Sequence, residues 1–219
     1  KHFVGNDTEF QRYAVSSNID ERTLREIYLL PFEMGIKESN AKSVMSAYNK
    51  LNNIYCSSHK QLLIDILKKE WNFDGYVVSD WGAALENIEN ANGGLDLEMP
   101  GPAKSWGTNL VQAIERGDVP VSEINDKVKR ILNIAVFSKR FDDPDLKAEK
   151  SNDTPEQRML LKKAAQDGMV LLKNEGLLPL NKNISSIGVI GPNAKKSQII
   201  GGGSCLLYTS DAADEEDSV

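Results

Sequence analysis

The tetrapeptide Val78-Ser79-Asp80-Trp81 sets a carboxylate directly after an apolar run, with an indole beside it. A carboxylate in that position can attack an electrophilic carbon, and an indole face stacks on the C–H side of a pyranose. The preceding residues, Phe73-Asp74-Gly75-Tyr76-Val77-Val78, are short, β-branched and aromatic, with Gly75 punctuating their start. They read as a buried strand. In an alternating β/α chain, a polar group released at the C-terminal mouth of such a strand lies where barrel enzymes assemble their sites. An aspartate there can equally cap the next helix, and the tetrapeptide alone does not separate the two readings.

Three other strand ends carry polar or aromatic groups: Lys1 and His2, Tyr48 and Asn49, and Glu98. On a parallel sheet all four ends converge on one edge and can share a pocket. Lys1 and His2 would donate to sugar hydroxyls, with Arg12 a further donor from the following loop. Tyr48 would donate its phenolic hydrogen to Asp80, which favours the ionised carboxylate and hence a nucleophile. Each residue has an ordinary explanation by itself: a solvated terminal lysine, a structural histidine, a surface ion pair worth little. Convergence is what gives them weight.

The elements that must position these groups alternate. Asp20 is suited to cap a helix carrying Leu24, Ile27 and Tyr28 on one stripe, with Pro31 bending or restarting it. A strand over residues 43–48 follows. Ser57 or Ser58 then caps a helix with Leu62, Leu63, Ile66 and Leu67 inward. After the strand ending at Asp80 come a short helix over 83–90 and a strand over 94–99. This βαβα order implies a parallel sheet covered by helices. Two more amphipathic helices are expected near 109–116 and 122–137, the second with Ile124, Val128, Ile131 and Ala135 on one face. Residues 140–152 are charged, contain Pro144 and lack periodicity, so they read as a linker. Beyond them the sequence predicts a helix over 155–167, a strand over 169–172, a turn at Asn174-Glu175-Gly176 and a strand over 187–190. A closed eight-stranded barrel needs about 250 residues. The strands before the linker therefore suit a small open sheet or a barrel whose first half is absent.

Composition narrows the classes. Hydrophobic content of 40% and charged content of 26% are ordinary for a globular chain of 219 residues. The net charge of −6 owes five acids to Asp211, Asp214, Glu215, Glu216 and Asp217; without them 26 bases face 27 acids. No basic patch argues for nucleic acid. No run approaches a membrane span, and no basic leader with an apolar core opens the chain. Cys56 and Cys205 are too far apart for a metal knuckle and too few for a disulfide framework.

Several blocks carry a resemblance. Lys1-His2-Phe3, Arg12, Met45-Ser46-Ala47-Tyr48-Asn49 and above all Trp71-Asn72-Phe73-Asp74-Gly75-Tyr76-Val77-Val78-Ser79-Asp80-Trp81 resemble glycoside hydrolase family 3 β-glucosidases. So do Gly94-Leu95-Asp96-Leu97-Glu98-Met99-Pro100-Gly101, Val170-Leu171-Leu172-Lys173-Asn174 and Ile190-Gly191-Pro192-Asn193-Ala194. The blocks keep the family's order and cover nearly everything to Ser204.

The resemblance implies an α/β chain: the C-terminal part of a (β/α)8 TIM-like barrel (1–139), a linker (140–153), and the start of a second α/β sandwich domain (154–204). Asp80 matches the catalytic nucleophile and Trp81 the aromatic wall beside the sugar. Lys1, His2 and Arg12 match residues that bind hydroxyls of the non-reducing terminal glycosyl unit, and Tyr48 matches the tyrosine beside the nucleophile. Such enzymes retain anomeric configuration through a glycosyl-enzyme ester, with a second carboxyl about 5–5.5 Å from the first. In the family that acid lies downstream of Gly201-Gly202-Gly203-Ser204, so Glu98 is not assigned the role and no residue of this chain is. The chain alone is expected to be catalytically incompetent, since loss of a general acid removes roughly 10²–10⁴-fold in rate. The expected partner is an oligosaccharide or β-glucoside; no metal, cofactor, nucleic acid or membrane is called for. From Cys205 onward the sequence departs from the family and looks like a translated adapter remnant or an acidic solvated terminus; either predicts disorder over 205–219.

Within the family, the N-acetylglucosaminidase branch carries a histidine in the loop after the Lys-His pair. Here that loop reads Gly5-Asn6-Asp7, which disfavours the branch. β-Xylosidase or another exo-β-glycosidase activity stays open, as does a non-catalytic sugar-binding module. A nucleotide-binding module is suggested by Ile187-Gly188-Val189-Ile190-Gly191-Pro192. The spacing does not fit G-x-G-x-x-G, and Pro192 falls where a phosphate-binding helix should begin.

Overall fold

The computed structural model describes residues 1–145 and 153–195. Two compact units divide at residue 145, the first Lys1–Asp145 and the second Leu146–Val219. The expected tail at 205–219 and the glycines at 201–203 lie outside the described residues. Both units are mixed or helical, and the first is α/β.

Strand β2 (Ser43–Ser46) pairs in parallel with β5 (Tyr76–Ser79), in register from Ser43↔Tyr76 to Ser46↔Ser79. Phe3 adds a parallel bridge to Ser46 on one side, and Leu97 adds one to Val78 on the other. Four parallel segments therefore run in the order Phe3, β2, β5, Leu97. Gly75 lets the pair begin, because a Cβ there would lie 2.2 Å from the Lys42 carbonyl oxygen.

The expected strand over 94–99 shrinks to the single bridge at Leu97. Its physical cause is Asp96, whose carboxylate, rather than a backbone carbonyl, accepts the amide of Val77 at 2.8 Å. A second, small sheet holds β1 (Ser16–Ser17), β3 (Lys50–Leu51) and β4 (Ile54–Tyr55), with β1–β3 parallel and β3–β4 antiparallel. Asn52 and Asn53 turn the hairpin with φ of 49° and 73°, the left-handed pair that a two-residue hairpin favours. The sequence reading overlooked that hairpin, although an Asn-Asn pair between β-prone residues signals one.

Helix formation follows the apolar spacing, with local adjustments. Asp20 does cap α1 (Glu21–Thr23), accepting from the Thr23 amide. The chain then widens into a π-turn over Leu24–Tyr28, closed by Leu29 N to Leu24 O at 2.8 Å, before α2 (Leu30–Lys37) restarts with Pro31 in its first turn. That extra residue per turn rotates Ile27 outward, so it is exposed while Leu24 and Leu29 are buried. The π-helix Gln61–Glu70 buries Leu62, Leu63, Ile66 and Leu67 as expected. Its first turn is capped by His59 Nδ1, which accepts from Leu62 N, and not by Ser57 or Ser58. Those serines instead bond to Ser46 and Glu86.

The expected helix over 83–90 begins late, as α3 (Ile88–Gly93), because Gly82 and Ala83 are held in a turn by the Met99 and Asp80 carbonyls. Helices α4 (Thr108–Glu115) and α5 (Val121–Phe137) form where the periodicity places them. On α5, Ile124 and Ala135 are half-buried, but Val128 and Ile131 are exposed and Lys127 is buried. The core joins Phe3, Phe32 and Trp71 edge to face, with centroids 4.9 and 6.0 Å from Phe3. Leu62, Leu63, Leu67, Val77 and Leu95 fill in around them, each contributing roughly 2 kcal/mol by burial.

In the second unit, α6 (Pro155–Asp167) is opened by a capping box between Thr154 and Gln157. The turn at Asn174 is closed by its own side chain, which bonds both the amide and the carbonyl of Leu178. Residues 169–172 and 187–190 are not strands: they pair with no other strand among the described residues, and Leu172 and Ile190 are almost fully exposed. Apolar β-branched runs make strands only when a neighbour takes their backbone groups.

Candidate active site

Asp80 follows β5 at the end where all four parallel segments finish. Its amide donates to the Ser46 carbonyl at 3.2 Å, which fixes the residue to the neighbouring strand. The residue is buried, with its side chain 11% exposed. Oδ1 accepts from the Trp81 amide at 2.7 Å. Oδ2 lies 3.2 Å from His2 Nε2, a close contact without hydrogen-bond alignment, and receives no hydrogen bond among the described residues. One oxygen is thus committed, and the other is buried beside His2 without an aligned hydrogen bond.

Tyr48 leaves β2 on the same edge and is buried. Its hydroxyl donates to the Trp81 carbonyl at 3.0 Å. The best-aligned bond of the phenolic hydrogen goes to the backbone of the next residue, while the hydroxyl stays close enough to the Asp80 carboxylate to interact with it directly. Burial first, then a hydrogen bond with Tyr13, then the negative charge of Asp80 push the Tyr48 hydroxyl well above the usual phenol range. It stays a donor throughout the physiological range.

Arg12 lies with its guanidinium 4.2 Å from the centre of the Tyr48 ring and 5.4 Å from that of Tyr13. Glu9 accepts from it at 2.6 Å and raises its already high pKa. Tyr13 packs edge-on against Tyr48, centroids 4.7 Å apart. Trp81 is 44% exposed, so an indole face is accessible next to the carboxylate. Lys1 is exposed and makes no ion pair or hydrogen bond among the described residues. Asp80, His2, Tyr48 and Trp81 are brought together, and Arg12 joins them through the Tyr48 ring.

Glu98 is buried at the same edge, but its oxygens accept from the backbone amides of Lys104, Ser105 and Trp106, each at 2.8 Å. It ties down the loop that leads to α4. Sequence reasoning passed over Tyr13 and Ser46; the adjacency of Tyr13 to Arg12 was a signal, whereas a backbone acceptor such as Ser46 leaves none. Among the described residues no group of three His, Cys, Asp or Glu side chains is placed to hold a metal ion.

A profile of the glycosyl hydrolase family 3 N terminal domain matches residues 1–134. The chain belongs to glycosyl hydrolase family 3. The profile of the C-terminal domain of family 3 matches residues 169–215, so the family match continues past Cys205, where the sequence was expected to depart from it. A β-glucosidase of Rhizobium radiobacter is 48% identical over 212 residues, covering 94% of this chain and 25% of that protein. A probable β-glucosidase I of Aspergillus niger is 45% identical over 208 residues, with the same coverages. This family 3 chain thus spans a quarter of the length of the curated relatives it matches.

Solved structures agree. The β-glucosidase of Kluyveromyces marxianus in complex with glucose superposes with a TM-score of 0.76 at 40% identity, over 84% of this chain and 23% of that one. β-Glucosidase 3B of Thermotoga neapolitana in complex with α-D-glucose gives 0.74 at 36% identity, over 84% and 26%. These structures and the curated relatives are β-glucosidases, and the match places this chain in their family.

Proposed function

We propose that this chain carries the nucleophile half of a retaining, exo-acting β-glycosidase of the β-glucosidase type. The single observation that carries the reading is the asymmetry of Asp80: Oδ1 is held by Trp81 N while buried Oδ2 is left without a hydrogen bond. A nucleophile needs one lone pair uncommitted and the rest of the group immobile. In this reading Oδ2 attacks C1 of a terminal β-D-glucosyl residue, the bond to the leaving oxygen breaks, and a glycosyl ester of Asp80 forms. Water then cleaves the ester with net retention.

His2 lies beside the attacking oxygen and would bind a ring hydroxyl, Trp81 would stack on the sugar, and Lys1 and Arg12 would donate to other hydroxyls. Arg12 must exchange its bond to Glu9 for one to the ligand. The acid that protonates the leaving oxygen is assigned to sequence outside this stretch, as Glu98 is already committed to three backbone amides. On this reading the 219 residues alone turn nothing over. The four parallel segments are read as part of a (β/α)8 barrel, with residues 154–204 opening a second α/β domain after a linker at 140–153.

The names of the relatives favour a glucoside over a xyloside. Proton NMR of the first-formed product tests the mechanism. The gene product that carries this sequence should release β-glucose from an aryl β-glucoside before mutarotation. Initial release of α-glucose, or turnover of the xyloside alone, would overturn the respective half of the reading.

A further inference from the structure

Beneath the sheet edge lies a buried ion pair that the chemistry described so far does not use. Lys68 Nζ, on the π-helix, is 2.7 Å from Asp96 Oδ1, with side chains 7% and 0% exposed. The same ammonium donates to the Gly94 carbonyl at 2.7 Å. Asp96 Oδ2 accepts the amide of Val77, a residue in the middle of β5. The amides of Asp96 and Leu97 both donate back to the Val77 carbonyl at 3.0 Å. Gly94, with φ +107°, sits so close to the π-helix that a Cβ would lie 2.8 Å from Ile64 Cγ1.

We propose that Asp96, held by Lys68, is a positioning residue that fixes the register and height of β5 and thereby aims Asp80. The proposal rests on the reading of Asp80 as nucleophile. β5 is short, and Asp80 follows it directly, so a shift of the strand at Val77 moves the carboxylate with it. Farther along, Ser79 Oγ and the Gly82 amide fasten the same strand end to Met99, at 2.9 Å each. Together these form a ladder in which a side chain stands in for a missing strand carbonyl. A backbone carbonyl accepts but carries no charge; a carboxylate here both accepts from the strand and is oriented by the lysine. A misplacement of about 1 Å at a reacting atom costs on the order of 10²-fold in rate.

The test uses Asp96→Asn in the complete gene product. An amide has one acceptor oxygen, so either the Val77 amide or the Lys68 ammonium must face an NH2 group. Labelling of Asp80 by a 2-fluoro β-glucoside should slow about 10²-fold, while the inhibition constant for glucose changes less than about threefold, because ground-state binding needs no aligned attack. Hydrogen exchange of the peptide spanning Val77–Trp81 should accelerate about tenfold, and that of α6 should not change. This exchange reading is independent of whether Asp80 is the nucleophile. Adding Lys68→Met removes the competing donor, leaves the amide oxygen to Val77, and should restore both rate and protection to within about tenfold of wild type; that double variant decides the matter if the single one does not fold. Unchanged exchange at Val77–Trp81, or labelling and glucose affinity falling together, would overturn the proposal.

Discussion

The Tyr48 hydroxyl donates to the carbonyl of Trp81, 3.0 Å away, while the amide of Trp81 donates to Asp80 at 2.7 Å. The peptide on either side of the indole is therefore held from both ends. Tyr48 acts on the carboxylate through the backbone, by keeping the Trp81 amide on Oδ1, as well as directly through its hydroxyl.

Tyr48→Phe keeps the ring under Arg12 and beside Tyr13 and removes the hydroxyl with its hydrogen bonds. It should lower kcat about fivefold with little change in KM, the effect of losing roughly 1 kcal/mol of hydrogen bonding. Steady-state kinetics on an aryl β-glucoside measure both; a rise in KM at unchanged kcat would mean that the hydroxyl serves the ground state.

Arg12→Lys should raise KM several-fold and leave kcat nearly untouched. A lysine keeps the charge but loses the planar face that covers Tyr48 and the fork that can serve Glu9 and a sugar hydroxyl. The same kinetics decide, with a kcat effect counting against a binding role.

Lys127 supplies a stability prediction. Burial holds its ammonium down to about 8, against the favourable charge of Asp96 and with the opposing charge of Lys68. The unfolded chain therefore binds more protons than the folded one between pH 8 and the ordinary lysine range, and stability rises with pH there. Cys56 works the other way above pH 9, because burial pushes its thiol up to about 11 and the folded state keeps that proton. The clean window is pH 8 to 9. Urea unfolding should gain about 1 kcal/mol across it, and Lys127→Met should raise the midpoint at pH 7 and flatten the profile. A midpoint that falls between pH 8 and 9 would contradict this account.

Leu67→Ala, in the fully buried face of the π-helix, should cost about 2–5 kcal/mol. The activity of the folded fraction should be retained, since Leu67 belongs to the apolar core. Denaturant melts paired with active-site titration separate the two.

Much of the scaffold is written in residue periodicity. Leu62, Leu63, Ile66 and Leu67 announce a helix face, and Val77-Val78 a buried strand, because each pattern follows from which side chains must leave water. Ile27 was misplaced since a single π-turn rotates everything after it, and one extra residue leaves no mark in a hydrophobic stripe. The strand expected over 94–99 shortened because the Asp96 side chain took the hydrogen bond its backbone would have made. Residues 169–172 and 187–190 have strand composition but no partner strand among the described residues, and composition cannot supply one. At the site, residue types identified Asp80, His2, Tyr48 and Trp81, which the fold brings together. The best-aligned target of the Tyr48 hydroxyl was hidden, as it is a main-chain carbonyl that any residue at 81 would present.

The most direct test of Asp80 is to trap it. The complete gene product is incubated with a 2-deoxy-2-fluoro β-glucoside bearing a good leaving group, digested, and mapped by mass spectrometry. The label should reside on Asp80, in the peptide containing Val78-Ser79-Asp80-Trp81, and Asp80→Ala should remove it along with at least about 10⁴-fold of turnover. A label on another carboxylate, or full labelling of Asp80→Ala, would contradict the central claim.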